Sequence, residues 1–516
     1  MGRLLGIDVG TTGAKALVID EDGRVVTRSF RPYPLLTPKP NWAEQDPEDW
    51  WTAVVDCLRE ILGNGVEARE ISAIGLTGQM HGAVAMDKDN KVLRPCILWC
   101  DQRTAPQCEE IMGLFGRRRF LDLTCNIALP GFTAPKILWI RENEPEIYGR
   151  IAKVLLPKDY IRFRLTGVFA TEVSDASGTV LFDVRNRRWS GEVLSELRIN
   201  GDMMPDAFES PFLSGEVSSE TASLTGLRRG TPVAGGGGDQ AAGAVGNGIV
   251  RAGLVSCTIG TSGVVFASCD GPLIDPEARL HSFCHAAPGK WHVMGVMLSA
   301  GGSLRWFRDT LGGEEVALGK ERGVDPYVIL ADELASRAEP GCEGLIFLPY
   351  LMGERTPYPN PNAKGVLFGL TLRHKKSDLV RSVMEGVAYG MRDSLELVRA
   401  LGIKIGQVRA SGGGARSPLW RQMQADIYNT ELVTVSIDEG PALGAALIAG
   451  VGAGTFKSVE DACERAITLA TRTTPIPENV KLYGKYYSVY RDLYANLEGQ
   501  FDRVSGIVEG LGGRGA

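Results

Sequence analysis

At 516 residues the chain is too long for one hydrophobic core, and 44% hydrophobic residues supply enough apolar material for two domains or more. A net charge of −6, with no Lys/Arg block, excludes the electrostatic footprint of a nucleic-acid binder or of a protein that sits on anionic membranes. Ten cysteines at irregular spacings, without a CxxC pair, read as reduced thiols in a cytoplasm, with Cys96 and Cys100 as packing residues.

In "MGRLLGIDVG" Asp8 breaks the apolar run too early for a signal peptide, and no uncharged run reaches the roughly 18 residues of a membrane helix. "RLLGID", the turn Gly10-Thr11-Thr12-Gly13, "AKALVID", an "EDG" turn at Glu21 to Gly23 and "RVVTRSF" predict a three-stranded antiparallel meander. "QDPEDWWTAVVDCLREILGNG" predicts a helix with Asp46 as N-cap, Pro47 at the first position and Gly63 just past the end. The buried strand "ISAIGLTG" then leads into Gln79-Met80-His81-Gly82, at the strand end where α/β proteins assemble ligand sites. "GGGGDQAAGAVGNG" marks tight turns and a boundary between residues 1–245 and 246–516. Beyond it, "GLVSCTIG", the turn Gly260-Thr261-Ser262-Gly263 and "VVFASC" repeat the opening of the chain. His281, Cys284 and His285 in "HSFCHA" lack the second pair that a zinc site needs. "VRASGGGARSPLWRQMQADIYN" predicts a strand, a loop at Gly412 to Gly414 and a helix opening near Ser417 and Pro418. A last helix runs through "VKLYGKYYSVYRDLYANLEGQF", with "GLGGRGA" as a frayed tail; the GxGxxG of Gly510, Gly512 and Gly515 has no strand before it and no helix after it.

A Gly-Thr-Thr-Gly turn gathers backbone N–H groups and hydroxyls in a concavity that suits phosphate oxygens. Either turn alone is more economically a plain hairpin, but two copies, each opening a domain, point to a polyphosphate held between lobes. The G-x-x-x-x-G-K-[ST] of a P-loop is missing from the sequence. Such a ligand needs one carboxylate for its Mg²⁺, supplied by Asp8, while Thr258 in the equivalent place avoids a second negative charge. The bare Gly412–Gly414 loop leaves a flat surface for a base and ribose. Asp239, set among glycines and alanines, can be approached closely and can accept a hydroxyl proton. The Gln79-Met80-His81 loop can hydrogen-bond sugar hydroxyls.

Two long patterns, "GFTAPKILWIREN" (Gly131 to Asn143) and "GVLFGLTLRHKKSDLVRSVMEG" (Gly365 to Gly386), resemble the signatures of the FGGY carbohydrate kinases, and the likeness covers nearly the whole chain. "NWAEQDPEDWW", "LTGQMHGA", "LPKDY", "DASGT", "HSFCHA" and "PYLMGERTPYPNPNAKG" look like the members that act on xylulose. The resemblance implies an α/β fold of two ribonuclease-H-like domains, of the actin, sugar-kinase and Hsp70 type, flanking a nucleotide cleft. It implies ATP and Mg²⁺, with Asp239 as base and Asp8 as the phosphate-side or metal-side carboxylate, Asp239 also standing beside the metal. Gly10 to Gly13 and Gly260 to Gly263 would line the phosphates, Gly413, Gly414 and Ala415 the adenosine, and Met80, His81 and Gln240 the sugar. Glycerol kinases carry Arg-Glu where this chain has Met80-His81, which argues against glycerol; Gln240 stands where some xylulose-acting members have Asn. The implied reaction is ATP-dependent phosphorylation of D-xylulose to D-xylulose 5-phosphate in pentose catabolism. Ribulose or another ketose or polyol is the alternative acceptor, and an ATP-dependent clamp closing on a protein is the rival from another class. A cytoplasmic enzyme with sugar and ATP as its partners, no nucleic acid and no membrane is expected, with a homodimer as the assembly entertained.

Overall fold

The computed structural model describes residues 2–437 and 439–512. The opening meander forms as expected: β1 (Arg3–Val9) pairs antiparallel with β2 (Gly13–Ile19), and β2 with β3 (Val25–Pro32). α1 (Pro47–Gly63) begins where the Asp46 carboxylate accepts the Glu48 N–H at 2.9 Å. Gly63 is the last helical residue and not the one beyond, because the Asn64 N–H still reaches the Glu60 and Ile61 carbonyls. The apolar face of α1, with Trp50, Val54, Leu58 and Ile61, packs into one core with β1 and β2 residues. β4 (Ile71–Gly78), buried along its length except at its second residue, lies parallel to β1.

The helices α2 (Thr133–Asn143), α3 (Pro157–Thr166) and α4 (Val173–Ser177) precede β5 (Leu213–Glu216), β6 (Pro232–Ala234) and β7 (Gly237–Gly238). The first sheet runs β5-β6-β4-β1-β2-β3, with β7 also pairing parallel to β4, and α5 (Asp239–Gly246) follows directly. The second sheet uses β8 (Leu254–Ile259), β9 (Gly263–Cys269), β10 (His281–Cys284) and β11 (Trp291–Met297), followed by α6 (Gly301–Leu311) and α7 (Lys376–Ala400). It is completed by β12 (Gln407–Gly412), β13 (Leu432–Val435) and β14 (Leu469–Thr473), with α8 (Pro418–Tyr428), α9 (Gly440–Gly452) and α10 (Pro477–Gly512) following these strands in turn along the chain. Its order is β10-β11-β9-β8-β12-β13-β14.

The repeated turn is therefore one part of a repeated topology. In each sheet an antiparallel meander is extended by a strand parallel to its first member, β4 beside β1 and β12 beside β8. Asp8 and Thr258 occupy the same place, one residue before the end of β1 and of β8.

α9, "GPALGAALIAGVG", comes from the second half of the sequence yet lies on β1 and β4 of the first sheet and against α5. Its approach is closer than side chains allow: a Cβ at Gly444 would stand 1.8 Å from the Ala242 carbonyl oxygen, so only glycine fits. Leu4, Ala73, Ala241, Val245, Ala442 and Ile448 share the resulting core. α5 is thus pinned from behind, and Asp239, its first residue, with it. The expected frayed tail is corrected in part: α10 continues through Gly510 and Gly512, since a helix already propagated over some 30 residues loses only about 1 kcal/mol at each glycine. Gly515 lies outside the described residues. Among the described residues no helix is long and apolar enough to cross a membrane.

Candidate active site

The carboxylates of the site are placed by register. Asp8 on β1 stands opposite Thr77 on β4, and Thr77 stands opposite Gly237 on β7, two residues before Asp239. Asp8 and Asp239 therefore flank the end of one strand. Burial first and then the nearby Asp8 charge push the Asp239 carboxyl up to about 7, against the pull of the Gln240 backbone and side chain. Gln240, expected at the sugar, thus favours the ionised form of the Asp239 carboxyl. Burial likewise lifts Asp8 to about 6, against the pull of Lys15, its cross-strand partner. Asp8 Oδ1 is buried with no hydrogen-bond partner among the described residues. Lys15 was not singled out from the sequence, although counting residues outward from the Gly-Thr-Thr-Gly turn places it opposite Asp8. Its Nζ lies 3.3 Å from Glu439 Oε2.

Both glycine turns hold their carbonyls back. In the first, the Gln45 amide donates to the Thr11 carbonyl at 2.8 Å, the Tyr33 N–H to the Thr12 carbonyl at 3.4 Å and the Tyr33 hydroxyl to the Gly10 carbonyl. In the second, the Gly301 N–H donates to the Gly260 carbonyl at 2.8 Å, and the Ala300 and Gly302 N–H groups donate to the Thr261 carbonyl. A Cβ at Gly301 would stand 2.4 Å from the Gly260 oxygen, so this contact requires glycine. The N–H groups of Thr11, Thr12, Thr261 and Ser262 have no partner among the described residues, which leaves two sets of donors for an anion. Thr258 Oγ1 is 2.8 Å from Ser411 Oγ, so the residue equivalent to Asp8 is engaged inside the second sheet.

Gln79, expected at the acceptor, braces the first turn. Its amide donates to Gln45 Oε1 at 2.8 Å and its carbonyl oxygen accepts from Thr11 Oγ1 at 3.2 Å, so both ends are engaged. The Trp50 indole N–H also reaches Gln45, at 3.0 Å, and the Trp99 indole N–H reaches Thr11 Oγ1, at 3.0 Å. Gln45 and Trp50 lie in "NWAEQDPEDWW" but were not singled out there, and Trp99 carried no functional signal in the sequence.

Met80 is buried, and Cβ atoms built at Gly178 and Gly238 would meet its side chain. His81 adopts φ +70°, a conformation uncommon outside glycine. Its Nδ1 lies 2.9 Å from the Gly178 carbonyl and must carry the proton, so Nε2 presents a lone pair and has no partner among the described residues. Burial, with the Lys136 charge, holds the ring neutral, well below the usual histidine range. The Lys136 ammonium donates to the His81 carbonyl at 2.8 Å and to the Gly131 carbonyl at 2.7 Å, which ties the first signature helix, α2, to this loop. Phe132 packs edge-on against His81 at 4.9 Å, and Phe283 of β10 lies 6.2 Å from it. Within "HSFCHA", His281–Cys284 form the buried strand β10, and His285, just beyond it, has both ring nitrogens engaged, with the Ile249 carbonyl and the Ala287 N–H.

A cavity of about 310 Å³ opens beside the second turn, lined by Gly260, Thr261, Tyr327, Gly413, Gly414 and Trp420 among others. Two of the three residues expected around adenosine are on its wall. Ala415 is not: it packs against the core, and its carbonyl accepts from the Arg421 guanidinium at 2.6 Å.

The family model for the FGGY family of carbohydrate kinases, N-terminal domain, matches residues 3–246, and the one for the C-terminal domain matches residues 255–453. The xylulose kinase of Escherichia coli strain K12 is 43% identical over 494 residues, covering 96% of this chain and 99% of that protein. The xylulose kinase of Bacillus subtilis strain 168 is 39% identical over 499 residues, covering 96% and 98%. Among solved structures, the ligand-bound xylulose kinase from Lactobacillus acidophilus superposes with a TM-score of 0.91 at 26% identity, covering 98% of this chain and 100% of that one.

Proposed function

Since this chain belongs to the FGGY family of carbohydrate kinases, we propose that it transfers the γ-phosphoryl group of ATP to the terminal hydroxyl of D-xylulose. The products are D-xylulose 5-phosphate and ADP, in pentose catabolism. The observation that carries this reading is the placement of Asp8 and Asp239 on either side of one strand end, with two amide-bearing turns belonging to the two sheets. The names of the two curated relatives supply xylulose as the acceptor.

ATP enters with its base and ribose toward the 310 Å³ cavity and its phosphates against the free N–H groups of Thr11, Thr12, Thr261 and Ser262, with Lys15 as the nearby cation. His81 Nε2 accepts a hydrogen bond from a sugar hydroxyl, beside Met80. Asp239 takes the proton of the terminal hydroxyl as that oxygen bonds to the γ-phosphorus in line; the bond from phosphorus to the β,γ-bridging oxygen breaks, and ADP leaves. A carboxyl poised at about 7 is ionised in the larger part of molecules at slightly alkaline pH and can receive that proton. Asp8 Oδ1, buried and unpartnered, fits a cation ligand: Mg²⁺ would be held there, directly or through water, with Asp239 beside it, and supplies neutralisation of phosphate charge. We read the enzyme as cytoplasmic, which ten free thiols support. We read it also as a homodimer, for which the exposed Phe368, Leu370 and Leu372 offer apolar surface.

Asp239→Asn tests the assignment. Positioned bases contribute roughly 10²–10⁴-fold, so kcat should fall by that order while the sugar dissociation constant changes little; near-normal turnover would remove Asp239 from the role.

A further inference from the structure

The charged residues of "LPKDY" and "DASGT" belong to neither the phosphate turns nor the acceptor loop, and they meet in the interior. Lys158 Nζ lies 2.6 Å from Asp159 Oδ1, 3.3 Å from Asp175 Oδ2 and 3.5 Å from Glu172 Oε1, and Arg162 lies 3.6 Å from Asp159. All five side chains are fully buried. Burying five ionisable groups costs desolvation that an apolar core would avoid, so stability alone gives no reason for the cluster.

The hydrogen bonds leading out of it end at the catalytic turn. Glu172 accepts from the Ser174 N–H at 2.7 Å, the Asp175 N–H at 2.8 Å, the Ser174 hydroxyl at 2.9 Å and the Ser210 hydroxyl at 2.9 Å. The Ser174 hydroxyl, oriented by that donation, accepts the Gly238 N–H at 3.1 Å. Gly238 is the residue before Asp239 and caps α5. Four residues beyond Ser174, the Gly178 carbonyl fixes the His81 ring. One buried carboxylate thus underlies the turn that leads into Asp239, and the same short helix, α4, runs on to the residue that fixes the acceptor loop.

We propose that Ser174, held by Glu172, which Lys158 faces at 3.5 Å, is a positioning residue for Asp239: by accepting the Gly238 N–H it fixes the turn from which the carboxylate is aimed at the acceptor hydroxyl. The proposal rests on Asp239 being the base. α9 pins α5 from behind and Ser174 fixes its first turn from the front, so the carboxylate's origin is set from two sides. Removing the hydroxyl leaves a buried N–H without a partner and frees the turn to shift.

The test is a double-mutant cycle between Ser174→Ala and Asp239→Asn, read as steady-state kcat and KM for D-xylulose and ATP. Ser174→Ala alone should lower kcat by tenfold or more, up to the roughly 100-fold that a 1 Å misplacement costs, with both KM values within about twofold of the parent. In the Asp239→Asn background the same substitution should cost almost nothing, because the group it aims is gone. Ser174→Cys keeps the side-chain size with a sulfur too weak an acceptor to replace the hydroxyl, and should show a comparable loss in a normally folded enzyme. Turnover of Ser174→Ala within about twofold of the parent, or the same fractional loss with and without the Asp239 carboxylate, overturns the proposal while leaving the base assignment standing. Near-parental turnover of Asp239→Asn alone overturns the base assignment and this proposal with it.

Discussion

Asp8 and Asp239 oppose the folded state whenever both are ionised, since each is buried and Asp8 raises the carboxyl of Asp239. Their folded values of about 6 and about 7 lie above the 3.8 of an unperturbed aspartate. The folded protein therefore binds more protons than the unfolded chain in that window, and this contribution makes the protein more stable as pH falls through it. With Mg²⁺ chelated and no substrate, Asp239→Asn should melt at a higher temperature than the parent at about pH 8, and the gap should shrink as the pH approaches about 5. Thermal unfolding at the two pH values checks this, and a gap that grew on acidification would reverse the assigned sign. At this scale the sequence was partly legible. Asp8, Asp239 and His81 stood out as polar residues among glycines, and that signal is local. Ser174 and Gly238 are 64 positions apart, Gln45 and Gln79 are 34 apart, and no periodicity or motif in one stretch reports a partner in another. The direction of the Gln79 amide is hidden for the same reason, since it depends on Gln45 and Thr11.

Among the elements, α9 carries the clearest mechanical role, because its glycines let it lie on the strands that end in the site. Gly444→Ala would drive a methyl group to 1.8 Å from the Ala242 carbonyl oxygen, and overpacking of this kind costs about 1–3 kcal/mol. Because the displaced backbone belongs to α5, kcat should fall as well. Gly63→Ala is the contrasting case: nothing lies within 4 Å of its added Cβ at the last residue of α1, and replacing a helical glycine by alanine should be neutral or stabilising by up to about 1 kcal/mol. Urea unfolding of the two variants separates them, and equal effects would mean that the close approach of α5 and α9 is not tight. The meander, the α1 cap and the repeated turn were readable from alternation and turn residues. The seat of α9 was not: a helix apolar on nearly every face declares that it is buried without saying against what. Its attachment to the first sheet from the second half of the chain is a long-range fact.

At the scale of the whole molecule, two copies of one topology each present a donor turn, and only the first sets a carboxylate, Asp8, where the second has Thr258. The central claim concerns what the acceptor side receives. His81 Nε2 offers one directed acceptor, and a wrong epimer leaves buried polar groups unpaired at about 1–3 kcal/mol each, so selectivity should be substantial without being absolute. His81→Ala should narrow the differences between sugars instead of lowering every activity alike. The most direct measurement is kcat/KM by coupled ADP release for D-xylulose, D-ribulose, L-ribulose, D-fructose, glycerol and erythritol under one set of conditions, with the phosphorylated product identified. The account predicts that D-xylulose gives the highest value and yields the 5-phosphate; glycerol or D-ribulose leading by about tenfold, equivalent to 1.4 kcal/mol of transition-state preference, would contradict it.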